Sequence, residues 1–275
     1  CMEQYIVEGN ISVKAVLLAQ KRDIIKIIVD EKKKDRDTAF ILRQAAQRNI
    51  PIEQNSRQAI DELAQGKTHG GLLALCGERR FQTLQAVAEK DSVFLALIEG
   101  VEDPFNFGYI LRTLYAAGCD GVIIPPRNWT TAAGVVTKAS AGASEYLNLI
   151  VATDMEALLQ EMKQADIQLI CAQRKDAISL YDYAFPLKLC LAIGGEMRGL
   201  SKHVQNHSDQ NLFIPYRQDF RNAMTAAAST AIFAFELVRQ KSSRLTIQTM
   251  QLRLYGFSFS YAPIQKICIC RRMSQ

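Results

Sequence analysis

The sequence lacks the features that mark membrane, zinc-binding or disulfide-stabilised proteins. No apolar run reaches 18 residues, so no membrane-spanning helix is predicted. The seven cysteines have scattered spacings and form no CxxC pair, and no second His or carboxylate cluster accompanies His69, so no metal site is predicted. An odd number of cysteines, most of them in apolar runs, is typical of buried thiols in a reducing compartment. We therefore predict a cytoplasmic protein without a secretory signal.

Positive charge is concentrated at one end of the chain. The net charge is +5, and residues 242–275 contain five basic residues and no acidic one. Residues 1–241 are therefore electrically balanced, and a nucleic-acid site there would be a local basic patch. The apolar residues of the segment 242–275 show no clear helical or strand periodicity, and its sequence indicates no role.

Short apolar runs alternate with amphipathic segments along most of the chain. Residues 1–78 predict a small α/β domain, and 79–90 predict a charged linker helix. A second α/β domain is predicted over 91–241, where continuous apolar strands separated by helices favour a parallel sheet covered on both faces. Its predicted strands are 93–100, 121–125, 147–152, 168–173, 189–195 and 211–216.

The first candidate motif is VEDPFNFGYILRT, residues 101–113. Asn106 is a candidate helix cap, and Gly108 shares a helix face with Arg112. The positions three and four residues from Arg112 contain no acidic partner. The motif is compatible with an ordinary surface arginine, or with a bare helix patch at which a ligand meets Arg112.

Two further motifs follow strands of the second domain. IGGEMRGLS (193–201) places a Gly-Gly turn after a buried strand, where glycine allows a ligand to approach the backbone. A generic strand-to-helix turn would give the same pattern. IPYRQDFRNAMTAAASTAIFAFELVRQ (214–240) contains a basic loop and then a predicted helix that opens at Asn222 and is rich in small residues.

In this order, the three motifs resemble those of the SpoU/TrmH family of RNA ribose 2′-O-methyltransferases, in the SPOUT class. The resemblance covers 91–241 and includes KASAGASEYL (138–147). The N-terminal part resembles the family's accessory RNA-binding domain, which has a ribosomal-protein-like α/β fold. The resemblance implies a deep trefoil knot, a homodimer, S-adenosylmethionine as methyl donor and a structured RNA substrate, with ribosomal RNA favoured over transfer RNA. It implies neither a metal nor a membrane.

The resemblance also implies a set of site residues. The knotted loops would hold the donor and align a ribose 2′-hydroxyl for in-line attack on the methyl group. A guanidinium is a poor base at neutral pH, so Arg112 is expected to bind phosphate and stabilise developing negative charge. The implied catalytic residues are Asn106, Arg112, Glu196 and Asn222. The implied donor-binding residues are Ala172, Gln173, Gly194, Gly195, Gly199, Ile214, Arg221 and Ala223.

The third motif departs from the commonest family pattern. That pattern has a Ser two residues before the Asn and a Leu between them, where this chain has Phe220 and Arg221. A catalytically silent RNA-binding protein is therefore an alternative, and donor binding would distinguish the two. A doubly wound oxidoreductase would need a GxGxxG fingerprint near its first strand, which the sequence does not contain.

Overall fold

The protein is described here by a computed structural model that covers residues 4–126 and 133–254. Contacts divide the chain into two compact units, residues 1–235 and 236–275. The first unit contains a four-stranded and a seven-stranded sheet. The segment 242–275, to which the sequence assigned no role, is described only as far as Leu254, where the last helix ends.

The strands and helices alternate along most of the chain. The strands are β1 Tyr5–Glu8, β2 Ile24–Asp30, β3 Ile52–Asn55, β4 Leu72–Cys76, β5 Val93–Glu99, β6 Gly121–Ile124, β7 Leu149–Val151, β8 Gln168–Ala172, β9 Ala177–Ser179, β10 Lys188–Gly194 and β11 Gln210–Phe213. The helices are α1 Asn10–Ala19, α2 Arg36–Gln47, α3 Arg57–Leu63, α4 Leu84–Ala88, α5 Pro104–Ala116, α6 Ala133–Ala139, α7 Ala143–Tyr146, α8 Met155–Gln164, α9 Lys202–Asn206 and α10 Ala226–Leu254.

The first sheet is small and mixed. Its order is β1-β4-β2-β3, with β4 antiparallel to both of its neighbours and β2 parallel to β3. Apolar residues of these strands and of α1 and α2 form one buried cluster that includes Val16, Ile27, Ile41 and Leu72. This arrangement confirms the small α/β fold predicted near the N-terminus.

The second sheet is parallel throughout. Its order is β7-β6-β5-β10-β8-β11-β9, and all six neighbouring pairs are parallel. The inner strand β5 is buried along nearly its whole length, as expected for a sheet covered on both faces. The predicted parallel α/β fold is therefore confirmed. Ligands commonly bind beyond the carboxyl ends of such strands, so the loops after β5, β8, β10 and β11 are the first place to look for a site.

Several predicted helix boundaries are wrong, for local reasons. The helix predicted over 79–90 is only α4, because Thr83 caps it by accepting from the Ala86 N–H at 3.3 Å. Asn106 is not a helix cap. Asp103 caps α5, and its carboxylate accepts from the Asn106 N–H at 2.9 Å.

The prediction of buried thiols is confirmed for Cys76, Cys119, Cys171 and Cys190, which are all buried. Burial raises the pKa of Cys171 to about 11 and that of Cys190 well above its ordinary value. The thiols of Cys171 and Cys190 are therefore protonated near neutral pH and are not nucleophiles. Within the described ranges, no helix has the length and apolarity needed to cross a membrane.

A buried ion cluster joins the two sheet layers of the first unit. Arg22, after α1, donates to both carboxylate oxygens of Glu145 in α7, at 2.9 and 3.1 Å. Arg79, after β4, lies 3.4 Å from the same carboxylate and donates to the carbonyls of Ser144 and Leu147 at 2.7 Å each. The side chains of Arg22 and Arg79 are each 7% exposed, and that of Glu145 is 1% exposed. Burial lowers the pKa of Arg79 to about 10, against the attraction of Glu145.

Removing the charge of Glu145 should destabilise the protein strongly. Glu145→Gln leaves two buried guanidinium groups without a counter-charge, and breaking a buried pair costs about 3–5 kcal/mol. Urea unfolding at pH 7 measures the loss. The matched control is Glu53→Gln, which removes the partly exposed pair with Lys26 and should cost far less, because solvent screens an exposed ion pair. Equal losses for the two variants would contradict the structural role given to Glu145.

Candidate functional site

The loops after β5 and β10 cross each other backbone against backbone. The Gly195 N–H donates to the Glu99 carbonyl at 2.7 Å, and the Gly199 N–H donates to the Gly195 carbonyl at 2.9 Å. A Cβ on Gly195 would lie 2.0 Å from the Gly100 carbonyl oxygen, and a Cβ on Gly194 would lie 2.5 Å from the Gly199 carbonyl carbon. The glycines of GGEMRG are therefore required first of all for the close passage of two chain segments.

A carboxylate at the end of β5 fixes the far side of this crossing. The Glu99 side chain accepts from the Ser201 N–H at 2.8 Å and from the Ser201 hydroxyl at 3.0 Å. Ser201 in turn caps α9 through the Val204 N–H. The loop 195–201 is thus held at both ends, because one end bonds to the Glu99 carbonyl and the other to the Glu99 carboxylate.

A cavity of about 370 Å³ opens beside the crossing, at the carboxyl ends of β8 and β10. Seven of the eight predicted donor-binding residues line it: Ala172, Gln173, Gly194, Gly195, Gly199, Arg221 and Ala223. The cavity is also lined by Glu196, which was predicted as a catalytic residue. Other lining residues that were not predicted include Arg174, Gln205 and Met224. We call this space the first cavity.

Ile214 is the predicted donor-binding residue that does not line the first cavity. It follows β11 and lines a neighbouring cavity of about 320 Å³, the second cavity, which shares Arg174 and Arg221 with the first. The sequence placed Ile214 by its motif position alone. Strand β11 ends at Phe213, and Ile214 lines the second cavity together with Tyr216 and Phe220.

Glu196 connects the first cavity with helix α10. Its Oε1 atom accepts from the Ala226 N–H at 2.9 Å, and Glu196 also lines a third cavity of about 350 Å³ together with Asn106 and Ala226. A carboxylate at a helix N-terminus satisfies a free N–H and interacts favourably with the helix dipole. Glu196 and Asn106 therefore line one cavity, and their predicted catalytic roles stay a prediction.

Asn222 does not open a helix, contrary to the sequence-based prediction. Helix α10 begins four residues later at Ala226, where the Thr225 hydroxyl accepts from the Ala228 N–H at 3.2 Å and Glu196 satisfies the first free N–H. Asn222 is exposed in the loop before it. Asn222 is absent from the lining of the three cavities, although its neighbours Arg221 and Ala223 line the first.

The bare helix patch predicted at Gly108 is filled by protein. A Cβ on Gly108 would lie 2.6 Å from the Ala139 Cβ atom, so the glycine allows α5 to pack against the end of α6. Arg112 lies one turn further along α5, exposed, and does not line the three cavities. Its guanidinium forms no ion pair with any residue of the described ranges.

The charged groups of the cavities suit an organic ligand better than a metal ion. The described part of the chain contains no group of three or more His, Cys, Asp or Glu residues that could hold a metal. The first cavity combines small residues, the amides Gln173 and Gln205 and the carboxylate Glu196 with two exposed arginines. Its volume is within the range of pockets that bind small organic molecules, about 300–1,000 Å³.

Two family models match the chain. The model described as the SpoU rRNA Methylase family matches residues 93–235, and the model described as RNA 2′-O ribose methyltransferase substrate binding matches residues 6–82. A 23S rRNA (guanosine-2′-O-)-methyltransferase, RlmB of Haemophilus ducreyi, is 27% identical over 241 residues, covering 86% of this chain and 98% of that protein. A Staphylococcus aureus protein assigned to the TrmH family of tRNA/rRNA methyltransferases is 29% identical, covering 87% and 98%.

Solved structures with the same fold include two that were determined with the donor bound. The SpoU methyltransferase AviRb from Streptomyces viridochromogenes in complex with AdoMet superposes with a TM-score of 0.73 at 18% identity, covering 88% of this chain and 92% of that one. The AdoMet-bound rRNA methyltransferase from Sinorhizobium meliloti has a TM-score of 0.70 at 17% identity, covering 86% and 87%. At these identities, the similarity establishes the fold.

An added methyl group at the crossing should disrupt the site. Gly195→Ala places a Cβ atom against the Gly100 backbone, and overpacking of this kind costs about 1–3 kcal/mol or more. We expect a lower midpoint in urea unfolding and weaker binding of ligands in the first cavity. Gly77→Ala is the matched control, because a Cβ there would meet only the Asp23 carbonyl oxygen at 3.9 Å. A Gly195→Ala variant as stable as Gly77→Ala would show that the crossing is not tight.

Proposed function

The chain belongs to the SpoU rRNA methylase family, and we propose that it transfers a methyl group from S-adenosylmethionine to a ribose 2′-hydroxyl of structured RNA. The observation that carries this proposal is the first cavity, which gathers seven of the eight residues that the family resemblance assigns to the donor. These residues come from the loops after β8, β10 and β11, which are separated in sequence. Because these loops are far apart in sequence, only the fold brings the residues together in one cavity.

The residues of the first cavity fit S-adenosylmethionine chemically. Its nucleoside and amino-acid groups offer many hydrogen-bonding atoms, which Gln173, Gln205 and the backbone around Gly194 and Gly199 can satisfy. Glu196 supplies the negative charge that a cationic ligand requires. When bound, S-adenosylmethionine supplies a methyl group activated by its positively charged sulfur. The fold supplies the walls of the cavity and holds Glu196 at the N-terminus of α10.

We propose that Asn106 and Arg112 bind the RNA. Asn106 lines the third cavity beside Glu196, where its amide can hold a ribose hydroxyl by hydrogen bonding. Arg112 is exposed on the same helix, and its planar guanidinium suits a phosphate group. A guanidinium is a poor base, so the proposed role of Arg112 is to stabilise negative charge and not to remove a proton. Asn222, in the loop before α10, would support this centre.

We also infer a homodimer and a trefoil knot. In the single chain, Arg112 and Asn222 stand apart from the cavities lined by the other predicted site residues, which supports a site completed by a second copy or by RNA. The backbone crossing at Gly100 and Gly195 is the kind of close passage that a threaded chain requires. Knots are rare in proteins, and the knot proposed here rests on the family resemblance.

Ribosomal RNA is the proposed substrate, in the cytoplasm. The N-terminal region matches a substrate-binding family model, and the relative from Haemophilus ducreyi is named for 23S rRNA. The Staphylococcus aureus relative is named for both tRNA and rRNA, so transfer RNA is the competing substrate. The alternative function, a catalytically silent RNA-binding protein, is favoured only by Phe220 and Arg221 in the third motif.

Removing the guanidinium of Arg112 should separate donor binding from catalysis. We expect Arg112→Ala to bind S-adenosylmethionine in calorimetry as wild type does, because Arg112 does not line the first cavity. Methyl transfer to RNA should fall about 10²–10³-fold, the usual loss when a charge-stabilising donor is removed. Lys163→Ala, which removes an exposed charge from α8, is the control and should retain activity. If wild type binds no donor at millimolar concentration, the silent RNA-binding protein becomes the better account.

A further inference from the structure

The second cavity carries an aromatic surface that the donor site does not use. Its lining includes Arg174, Tyr216, Phe220 and Arg221, together with Asp219. The Phe220 side chain is 51% exposed. Two of these residues, Arg174 and Arg221, also line the first cavity, so this surface borders the proposed donor site directly. We call Arg174, Tyr216 and Phe220 the aromatic shelf.

The aromatic shelf contains two side-chain contacts, one between Arg174 and Tyr216 and one between Tyr216 and Phe220. The Arg174 guanidinium lies 4.8 Å from the centroid of the Tyr216 ring, within the range of cation–π interactions. The centroids of the Tyr216 and Phe220 rings are 6.1 Å apart, and the ring planes differ by 35°. Tyr216 therefore lies between a cation and a second ring, while half of the Phe220 surface stays open to solvent.

The backbone around the shelf holds it in place before any ligand binds. The Tyr216 hydroxyl accepts from the Met224 N–H at 3.1 Å, which closes the loop 216–224. Inside this loop, the Phe220 N–H donates to the Gln218 carbonyl at 2.8 Å. The polar end of Tyr216 is thus satisfied within the protein. Because the loop is already ordered, little conformational entropy is lost when Phe220 contacts a ligand, which favours binding.

The charges around the shelf suit a polyanion. Arg174, Arg217 and Arg221 are exposed, and none forms an ion pair with a carboxylate of the described residues. Asp219 is the carboxylate in the lining. An exposed aromatic ring with unpaired arginines is the combination by which proteins bind single-stranded RNA, where bases stack on rings and phosphates meet guanidinium groups.

We propose that the aromatic shelf stacks an unpaired nucleobase of the RNA substrate, at or next to the nucleotide that is methylated, with Phe220 as the stacking ring. This inference rests on the proposed function and adds a specificity-determining residue to it. It also explains the unusual third motif. The chain has Phe220 and Arg221 where the commonest family pattern has Ser and Leu. Under this proposal, Phe220 is the stacking ring and Arg221 binds a phosphate group.

The test separates stacking from simple apolar contact. Phe220→Leu keeps an apolar side chain but removes the ring, Phe220→Ala removes both, and Phe220→Trp enlarges the ring. RNA affinity and KM for RNA are measured on in vitro transcribed 23S rRNA and on a transfer RNA transcript, using whichever wild type binds more tightly. We expect Phe220→Ala and Phe220→Leu to weaken RNA binding roughly 5- to 150-fold, the range that base–aromatic stacking supports. Phe220→Trp should bind at least as tightly as wild type.

Three controls make the outcome decisive. Tyr181→Leu removes an equally exposed ring, 55% exposed, from outside the shelf and should leave RNA affinity within about twofold. Donor affinity of the Phe220 variants, measured by calorimetry, should also stay within about twofold because Phe220 lines only the second cavity. Sedimentation reports the oligomeric state of each variant.

The outcomes distinguish this inference from the proposed function. If wild type binds donor and RNA but Phe220→Leu and Phe220→Ala bind RNA as wild type does, the stacking role is overturned. If those variants instead change the oligomeric state with RNA affinity intact, Phe220 is a contact between copies of the chain, which also overturns it. A wild-type protein that binds no donor overturns the methyltransferase function, whereas the RNA measurements still report on the shelf.

Discussion

The passage of the loop after β10 against the end of β5 is the constraint on which the site depends. Gly195 lies so close to Gly100 that no side chain fits between them. Because the Glu99 carbonyl accepts from Gly195 and the Glu99 carboxylate accepts from Ser201, one residue at the end of a central strand holds both ends of the loop. Glu196, carried by that loop, then reaches the first N–H of α10. The first and third cavities open on the two sides of this arrangement.

Arginine has two different uses in this protein. Arg22 and Arg79 are buried around Glu145 and join the mixed sheet to the parallel sheet, where the loss of one partner would leave a buried charge uncompensated. Arg112, Arg217 and Arg221 are exposed and form no ion pair with the described residues. A charge of the first kind must be balanced within the fold. A charge of the second kind costs little to leave unpaired in water, and it is available to an anionic ligand.

The sequence predicts the parallel sheet well because its strands are long apolar runs, as in β5 and β10, and this pattern needs only local information. It also predicts most of the first cavity, through motif resemblance. The errors lie where distant contacts decide. The start of α10 depends on Glu196, 30 residues earlier. The space beside Gly108 is filled by Ala139, and Ile214 lines the second cavity and not the first. Residue order alone does not reveal such contacts.

The position of a transferred methyl group tests the central claim most directly. The wild-type protein is incubated with a 23S rRNA transcript and S-adenosylmethionine labelled in its methyl group, and the RNA is then hydrolysed in alkali. Because a 2′-O-methyl group blocks alkaline cleavage at the next phosphate, the account predicts that the label is recovered in alkali-resistant dinucleotides. Label recovered only in mononucleotides would mean that a base is methylated. That result, or the absence of label from both this transcript and transfer RNA, would contradict the account.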